Sequence, residues 1–229
     1  MQLALKEQYR PTTLREVIGQ PCVRQLRALA RNPLSCCIAL EGAPGTGKTT
    51  SALALAHDLG CTDEGWGQSL FIECGADFNA DKVRSYFGPE TPFRYHGGDR
   101  GFHCLVLEEL EFVNGTVAVL LKDCLERRLA SLKLIVVATS NSMAQLHKVS
   151  KALCQRFQIF PMESGPCFAD AFNDRLPEIW REHAGGRPLP SGWQSWGLDG
   201  EEFSARLALA MMERYIRAME PEETQVAYA

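Results

Sequence analysis

The sequence predicts an α/β fold, a parallel five-stranded sheet with flanking helices followed by a small all-helical domain, and three observations predict it. Short apolar runs alternate with helix-like stretches between residues 36 and 161, the order expected of strands joined by helical crossovers. One run, Leu132–Thr139, is apolar almost throughout, as a strand covered on both faces must be. After Glu163 the strand-like runs stop and two helical stretches follow. The expected boundary separates a domain of residues 1–162 from a helical one of residues 163–229.

The elements follow in order. Val23, Leu26 and Leu29–Ala30 recur at helical spacing after Gln20-Pro21. Cys36–Leu40 reads as a buried strand leading into a glycine-rich turn, and Thr49–Leu59, rich in Ala and Leu and closed by Gly60, as a helix. Leu70–Glu73 is a second short strand, and Ala80–Phe87 a helix stopped by Gly88-Pro89. Thr91–Gly101 is polar and glycine-bearing, a loop. Phe102–Leu107 is a strand, Val117–Leu129 a helix, Leu132–Thr139 a strand, Val149–Phe157 a short helix and Gln158–Pro161 the last extended segment. In the second domain Ala169–His183 and Glu202–Met219 read as helices around a Gly/Pro/Trp-rich loop. Trp180, Trp193 and Trp196 there suit either the domain's core or an interface.

Composition narrows the function. Hydrophobic residues at 45% and charged residues at 23% are ordinary for a globular protein with a sizeable core. The net charge of −4 gives no global basic field, so any nucleic-acid binding must use a local patch or an assembly. The nine cysteines form no CxxC pair and several sit inside apolar runs, which fits a reducing compartment and argues against zinc. Lys6, Glu7 and Arg10 interrupt any leader-like apolar run, and no run reaches membrane-spanning length, so a cytoplasmic protein is expected.

Gly42-Ala43-Pro44-Gly45-Thr46-Gly47-Lys48-Thr49 matches GxxxxGK[ST] in full, between a predicted strand and a predicted helix. Glycines let consecutive backbone N–H groups converge on a phosphate, and the following helix turns its positive end to the same anion. Lys48 can reach the β- and γ-phosphates, the Thr49 hydroxyl can ligate Mg²⁺, and Thr50 completes the phosphate-binding stretch. Such a site needs an acid-tipped strand beside it. Cys104–Glu109 supplies one, with Glu108 expected at the metal and Glu109 orienting or activating the attacking water. The usual pair is Asp-Glu; the extra methylene of Glu108 shifts its carboxylate by about 1 Å, so weaker metal positioning and slower hydrolysis are expected. Asn141, after the strand ending at Thr139, suits a γ-phosphate sensor or a plain turn. Arg156 suits an arginine finger acting on a neighbouring subunit or a surface arginine.

Together these residues resemble the AAA+ ATPases, specifically the clamp-loader clade of replication factor C small subunits and phage clamp-loader ATPase subunits. Tyr9-Arg10-Pro11 and the turn Val17-Ile18-Gly19-Gln20 are similar to the clade's opening motif. The resemblance implies that Tyr9, Arg10, Pro11, Val17 and Ile18 surround adenine. Glu73-Cys74-Gly75-Ala76-Asp77 with Val83-Arg84 resembles the family's second strand and following helix, and Val119–Glu126 the helix after the acid-tipped strand. Asn141 falls at the sensor-1 position, Leu153–Phe157 at the finger motif with only the arginine kept, and Glu202–Ala208 at the sensor-2 helix, with Arg206 as its arginine. The resemblance implies ATP and Mg²⁺ as cofactors, a lid over residues 163–229, and self-association or assembly with related AAA+ subunits. Set against the clade, residues 1–229 are expected to lack its helical collar.

Two functions from different classes meet these expectations. One is a Mg²⁺-dependent ATPase that oligomerises and remodels or loads a DNA or protein partner in replication or repair, with no membrane role. The other is an ATP-binding assembly switch with weak hydrolysis, a DNA-associated scaffold or helicase-loader-type module. Lys82, Arg84, Arg94, Arg100, Lys122, Arg127 and Arg128 either line a DNA channel in the assembly or form a solvated face.

Overall fold

A computed structural model describes residues 4–61, 70–75, 77–87 and 101–219. The described chain forms two compact units, one holding the sheet and the other mostly helical.

The sheet unit comprises Pro11–Gly42 and Gly47–Met162. Its strands are β1 (Cys36–Glu41), β2 (Leu70–Glu73), β3 (His103–Glu108), β4 (Leu134–Ser140) and β5 (Gln158–Pro161), in spatial order β2-β3-β4-β1-β5. Every pairing is parallel. The helices are α2 (Val23–Arg31), α3 (Lys48–Asp58), α4 (Ala80–Phe87), α5 (Gly115–Ser131), α6 (Met143–Val149) and α7 (Lys151–Cys154), while α1 (Leu5–Gln8) belongs to the other unit.

The alternation of side chains along a strand explains why two faces are buried. Cys37 and Ala39, Leu105 and Leu107, and Leu134, Val136 and Ala138 lie in one core with Val83, Val117, Leu121 and Leu125. The intervening Ile38 and Leu40, Cys104 and Val106, and Ile135 and Val137 lie in the other, with Leu14, Leu26, Leu55 and Leu59. All seven residues of β4 are buried, which is why its sequence shows no polar alternation.

Parallel register brings three strand tips level. Leu40 of β1 sits opposite Thr139, and Leu107 of β3 opposite Ala138. Glu41, Glu108 and Asn141 therefore emerge at one edge of the sheet, its carboxyl end, where open α/β sheets hold their ligands.

The helical unit contains α1 (Leu5–Gln8), α8 (Pro166–Asn173), α9 (Leu176–His183), a hairpin of β6 (Leu198–Asp199) and β7 (Glu202–Phe203), and α10 (Ala205–Ala218). Residues 4–10 and Ala43–Thr46 group with it. Phe168, Leu176, Ile179, Trp180, Trp196, Phe203 and Met212 make its core. Trp180 and Trp196 are thus core residues, and Trp193 packs half-buried against them. The Trp180 indole N–H donates to the Arg187 carbonyl at 2.8 Å, and Trp196 stacks on Tyr215 with centroids 4.9 Å apart.

Three expectations are corrected in detail. The stretch 169–183 is two helices, because Pro177 stands in the first turn of α9, where its missing N–H and fixed φ start a helix and forbid one running through. In the stretch 149–157, Val149 closes the separate α6 and only the one-turn α7 follows. Glu202 and Phe203 form a strand of the hairpin, whose turn uses Gly200 at φ 62°. The loop expected at 91–101 lies outside the described residues up to position 100.

Candidate nucleotide site

The turn between β1 and α3 carries the glycine motif. Gly42 allows a close approach within the sheet unit, since a Cβ there would stand 2.4 Å from the Met162 carbonyl oxygen. Gly45 and Gly47 have φ of 82° and 91°, a left-handed backbone that side-chain-bearing residues adopt at a cost. Ala43–Thr46 group with the helical unit. There the Thr46 hydroxyl donates to the Ala43 carbonyl at 2.9 Å, and the Ala205 N–H donates to the Gly45 carbonyl at 3.1 Å. Ser204 accepts from the Leu207 N–H at 3.2 Å, and a Cβ on Gly45 would meet its hydroxyl at 1.9 Å. Helix α3 begins directly at Lys48, so Lys48, Thr49 and Thr50 form the helix start, whose first N–H groups lack intrahelical partners.

The sheet unit gathers four expected residues. The Lys48 ammonium donates to the Gly42 carbonyl at 2.7 Å and to the Asn141 side-chain oxygen at 2.9 Å. The Thr49 hydroxyl donates to a Glu108 carboxylate oxygen at 2.5 Å. Hydroxyl and carboxylate oxygens side by side are the hard donors that Mg²⁺ takes, so these residues fit the ion. Glu109 is the only described non-glycine residue with positive φ, at 56°. Its N–H donates to the Thr139 hydroxyl at 3.2 Å, fixing this strained turn at the strand tip.

The remaining expected residues distribute as follows. Arg156 is exposed and paired with Glu126 of α5. Arg206 is an exposed residue in the first turn of α10 in the helical unit. Tyr9 and Arg10 group with the helical unit, and Pro11, Val17 and Ile18 with the sheet unit. The Tyr9 hydroxyl donates to Glu182 and touches the His183 ring at 2.7 Å. Burial, reinforced by Glu182, pushes the Tyr9 phenol up to about 12. Arg10 stands 3.5 Å from Glu7. Of the basic positions, Arg84 pairs with Asp81 and Lys122 with Asp123, while Arg128 donates to the Phe87 carbonyl and Arg127 to the Cys124 sulfur. Arg94, Arg100 and Ala76 lie outside the described residues.

Sequence reasoning missed two carboxylates that build this edge. Glu111, in the 3-10 turn Leu110–Phe112, is buried at 5% exposure and accepts the Asn141 backbone N–H at 2.8 Å. Glu41, at the tip of β1, accepts the Met143 N–H at 2.7 Å and so caps α6. The available signals were a third acid in Glu108-Glu109-Leu110-Glu111 and an acid closing an apolar strand.

No protein-family model matches the chain. In sequence it is similar to the replication factor C small subunit of Thermofilum pendens, 29% identical over 167 residues, covering 71% of this chain and 49% of that protein. It is similar also to the corresponding subunit of Archaeoglobus fulgidus, 28% identical over 180 residues, 76% of this chain and 52% of that protein. The chain spans about half the length of these curated relatives. Among solved structures it is similar to the Thermotoga maritima RuvB Holliday junction branch migration motor, with a TM-score of 0.68 at 18% identity over 92% of this chain and 66% of that one. AMPPCP-bound DnaA from Aquifex aeolicus gives 0.60 at 18% identity, over 93% and 69%. The fold is that of the AAA+ P-loop proteins. Within that class, the chain resembles replication factor C small subunits in sequence.

Proposed function

We propose that this chain is a Mg²⁺-dependent ATPase module that assembles into a nucleotide-dependent oligomer and, like a clamp loader, remodels or loads a DNA or protein partner in DNA replication or repair. In this reading residues 163–229 are its lid and the cytoplasm its compartment. The observation that carries it is the Lys48 ammonium poised between Gly42 and Asn141, with Thr49 and Glu108 paired beside it. An ammonium held at a helix start by the Gly42 carbonyl and the Asn141 amide oxygen stands where an anion is favoured, and arriving β- and γ-phosphates would replace those two contacts with charge-assisted ones. Thr49 and Glu108 would hold Mg²⁺, which when bound neutralises charge on the phosphates. Glu109 takes the water-activating role and Asn141 senses the γ-phosphate. Tyr9, Arg10, Pro11, Val17 and Ile18 surround adenine, and Arg206 acts from the lid. Arg156 completes a neighbouring subunit's site. Its present pairing with Glu126 is an exposed one, worth about 0–1 kcal/mol, so its release costs little.

A second reading, an ATP-binding switch with slow turnover, is favoured by Glu108 in the place where aspartate is usual, its carboxylate bonded directly to Thr49. Calorimetry and a turnover assay separate the two. Lys48→Ala should lose ATP binding, whereas Glu109→Gln should keep binding and lose turnover. If both variants hydrolyse ATP at the parent rate, the enzyme reading is wrong. Tight binding without turnover in the parent, even with DNA present, selects the switch. Light scattering should show a mass increase that requires a non-hydrolysable ATP analogue and Arg156.

A further inference from the structure

Helix α2 borders a hollow of about 310 Å³ in the sheet unit, lined by Val17, Gln20, Pro21, Val23, Arg24, Arg27 and Arg31. Residues 11–33 hold four arginines, no lysine and one acid, Glu16, in a chain whose net charge is −4. That acid is committed elsewhere: its carboxylate accepts the Thr12 N–H at 2.7 Å and also bonds the Thr12 hydroxyl and Thr13 N–H, and these hydrogen bonds hold its pKa below the ordinary value. Arg24 is exposed and Arg27 half-buried, and neither forms an ion pair among the described residues. The basic positions first considered for DNA differ in this respect, since Arg84 and Lys122 already face carboxylates.

Spacing i, i+3, i+7 puts Arg24, Arg27 and Arg31 in one row, about 4.5 and about 6 Å apart along the axis at ~1.5 Å per residue. A single small anion would draw on part of this row; its full length of about 10 Å suits a ligand whose charges repeat, as phosphates do along a nucleic-acid strand at about 3.4 Å of axial rise. Guanidinium forks match phosphate oxygens in pairs, and their planes also stack on bases. The apolar wall of Val17, Pro21 and Val23 would cover a sugar or base edge.

We propose that this arginine-lined hollow binds the phosphate backbone of a nucleic-acid strand, at a site separate from the Lys48 centre. Val17 alone is shared with the residues expected around adenine, so Arg24 and Arg27 can be changed without touching the nucleotide contacts. The inference does not depend on ATP turnover.

The test uses the full chain and a short fluorescent DNA strand, with binding followed by anisotropy between about 50 and about 200 mM salt. Arg24→Gln with Arg27→Gln should weaken binding about tenfold at the lower salt. The slope of log affinity against log salt should fall by about 1.4, because each lost phosphate contact contributes about 0.7 for a single strand. ATP binding by calorimetry and the unfolding midpoint should match the parent, which separates this result from a failure of the ATPase reading and from misfolding. Lys148→Gln with Lys151→Gln, which removes two exposed lysines elsewhere in the sheet unit, should leave the slope unchanged. An unchanged slope in the arginine variant overturns the proposal, and so does an equal loss in the lysine variant. Displacement of the strand by polyglutamate or inorganic tripolyphosphate as readily as by unlabelled DNA overturns it too, and assigns the hollow to an acidic segment or a small anion.

Discussion

Glu111 carries a carboxylate into the interior at the sheet's carboxyl edge. One oxygen holds the Asn141 N–H, and the other is buried with no partner among the described residues. Asn141 in turn holds Lys48, so the carboxylate fixes this lysine at one remove. Removing the acceptor strands a backbone N–H, which costs about 1–3 kcal/mol when the group stays buried. Glu111→Ala should therefore lower the unfolding free energy by that order, read as a lower urea midpoint at unchanged m, while Glu111→Gln, which keeps an acceptor oxygen, should lose less. Equal midpoints for parent and alanine variant would show that Asn141 needs no such anchor. The residues of the glycine motif were readable from sequence because a phosphate constrains their spacing. Glu111 was not, because an acid among acids after a strand looks solvated until the fold covers it.

Helices α5, α7 and α10 start where a side chain meets the first free N–H groups. Asn114 caps α5, its side-chain oxygen accepting the Val117 N–H at 3.0 Å, and α5 carries Val117, Leu121 and Leu125 into the core. Asn114→Ala should cost about 0.5–2 kcal/mol, read as a lower thermal midpoint with an unchanged fold by circular dichroism. That cap is local and lies in the sequence. The cap of α6 is not: the Glu41 carboxylate reaches Met143 from another strand. With only Met143 and Leu146 buried, α6 offers too little periodicity to be read from sequence, and a tertiary contact sets its start. Pro177, conversely, was a readable break inside the stretch expected to be one helix.

At the scale of the molecule, burial among the described residues raises several thiols and one phenol. It pushes the Cys22 thiol up to about 11, those of Cys37 and Cys74 to about 12, and the Tyr9 phenol to about 12. All four are neutral when protonated, and the folded state holds their protons more tightly than the unfolded chain. Their contribution to stability is therefore fully present below about pH 9 and is lost as pH climbs toward 12. Urea unfolding should show a midpoint that declines from about pH 9 upward, and a midpoint flat across that range would contradict these environments. The amino-acid sequence by itself determined the alternation of strands and helices, the glycine motif and the acid-tipped strand, because periodicity, turn chemistry and phosphate geometry act over a few neighbouring residues. Only the tertiary structure decided that β1 lies between β4 and β5, that Lys48 meets Asn141, that Arg156 pairs with Glu126, and that Arg24 and Arg27 border one hollow. Those pairings join residues far apart in the chain, and nothing local records which strand edge or helix face will meet which.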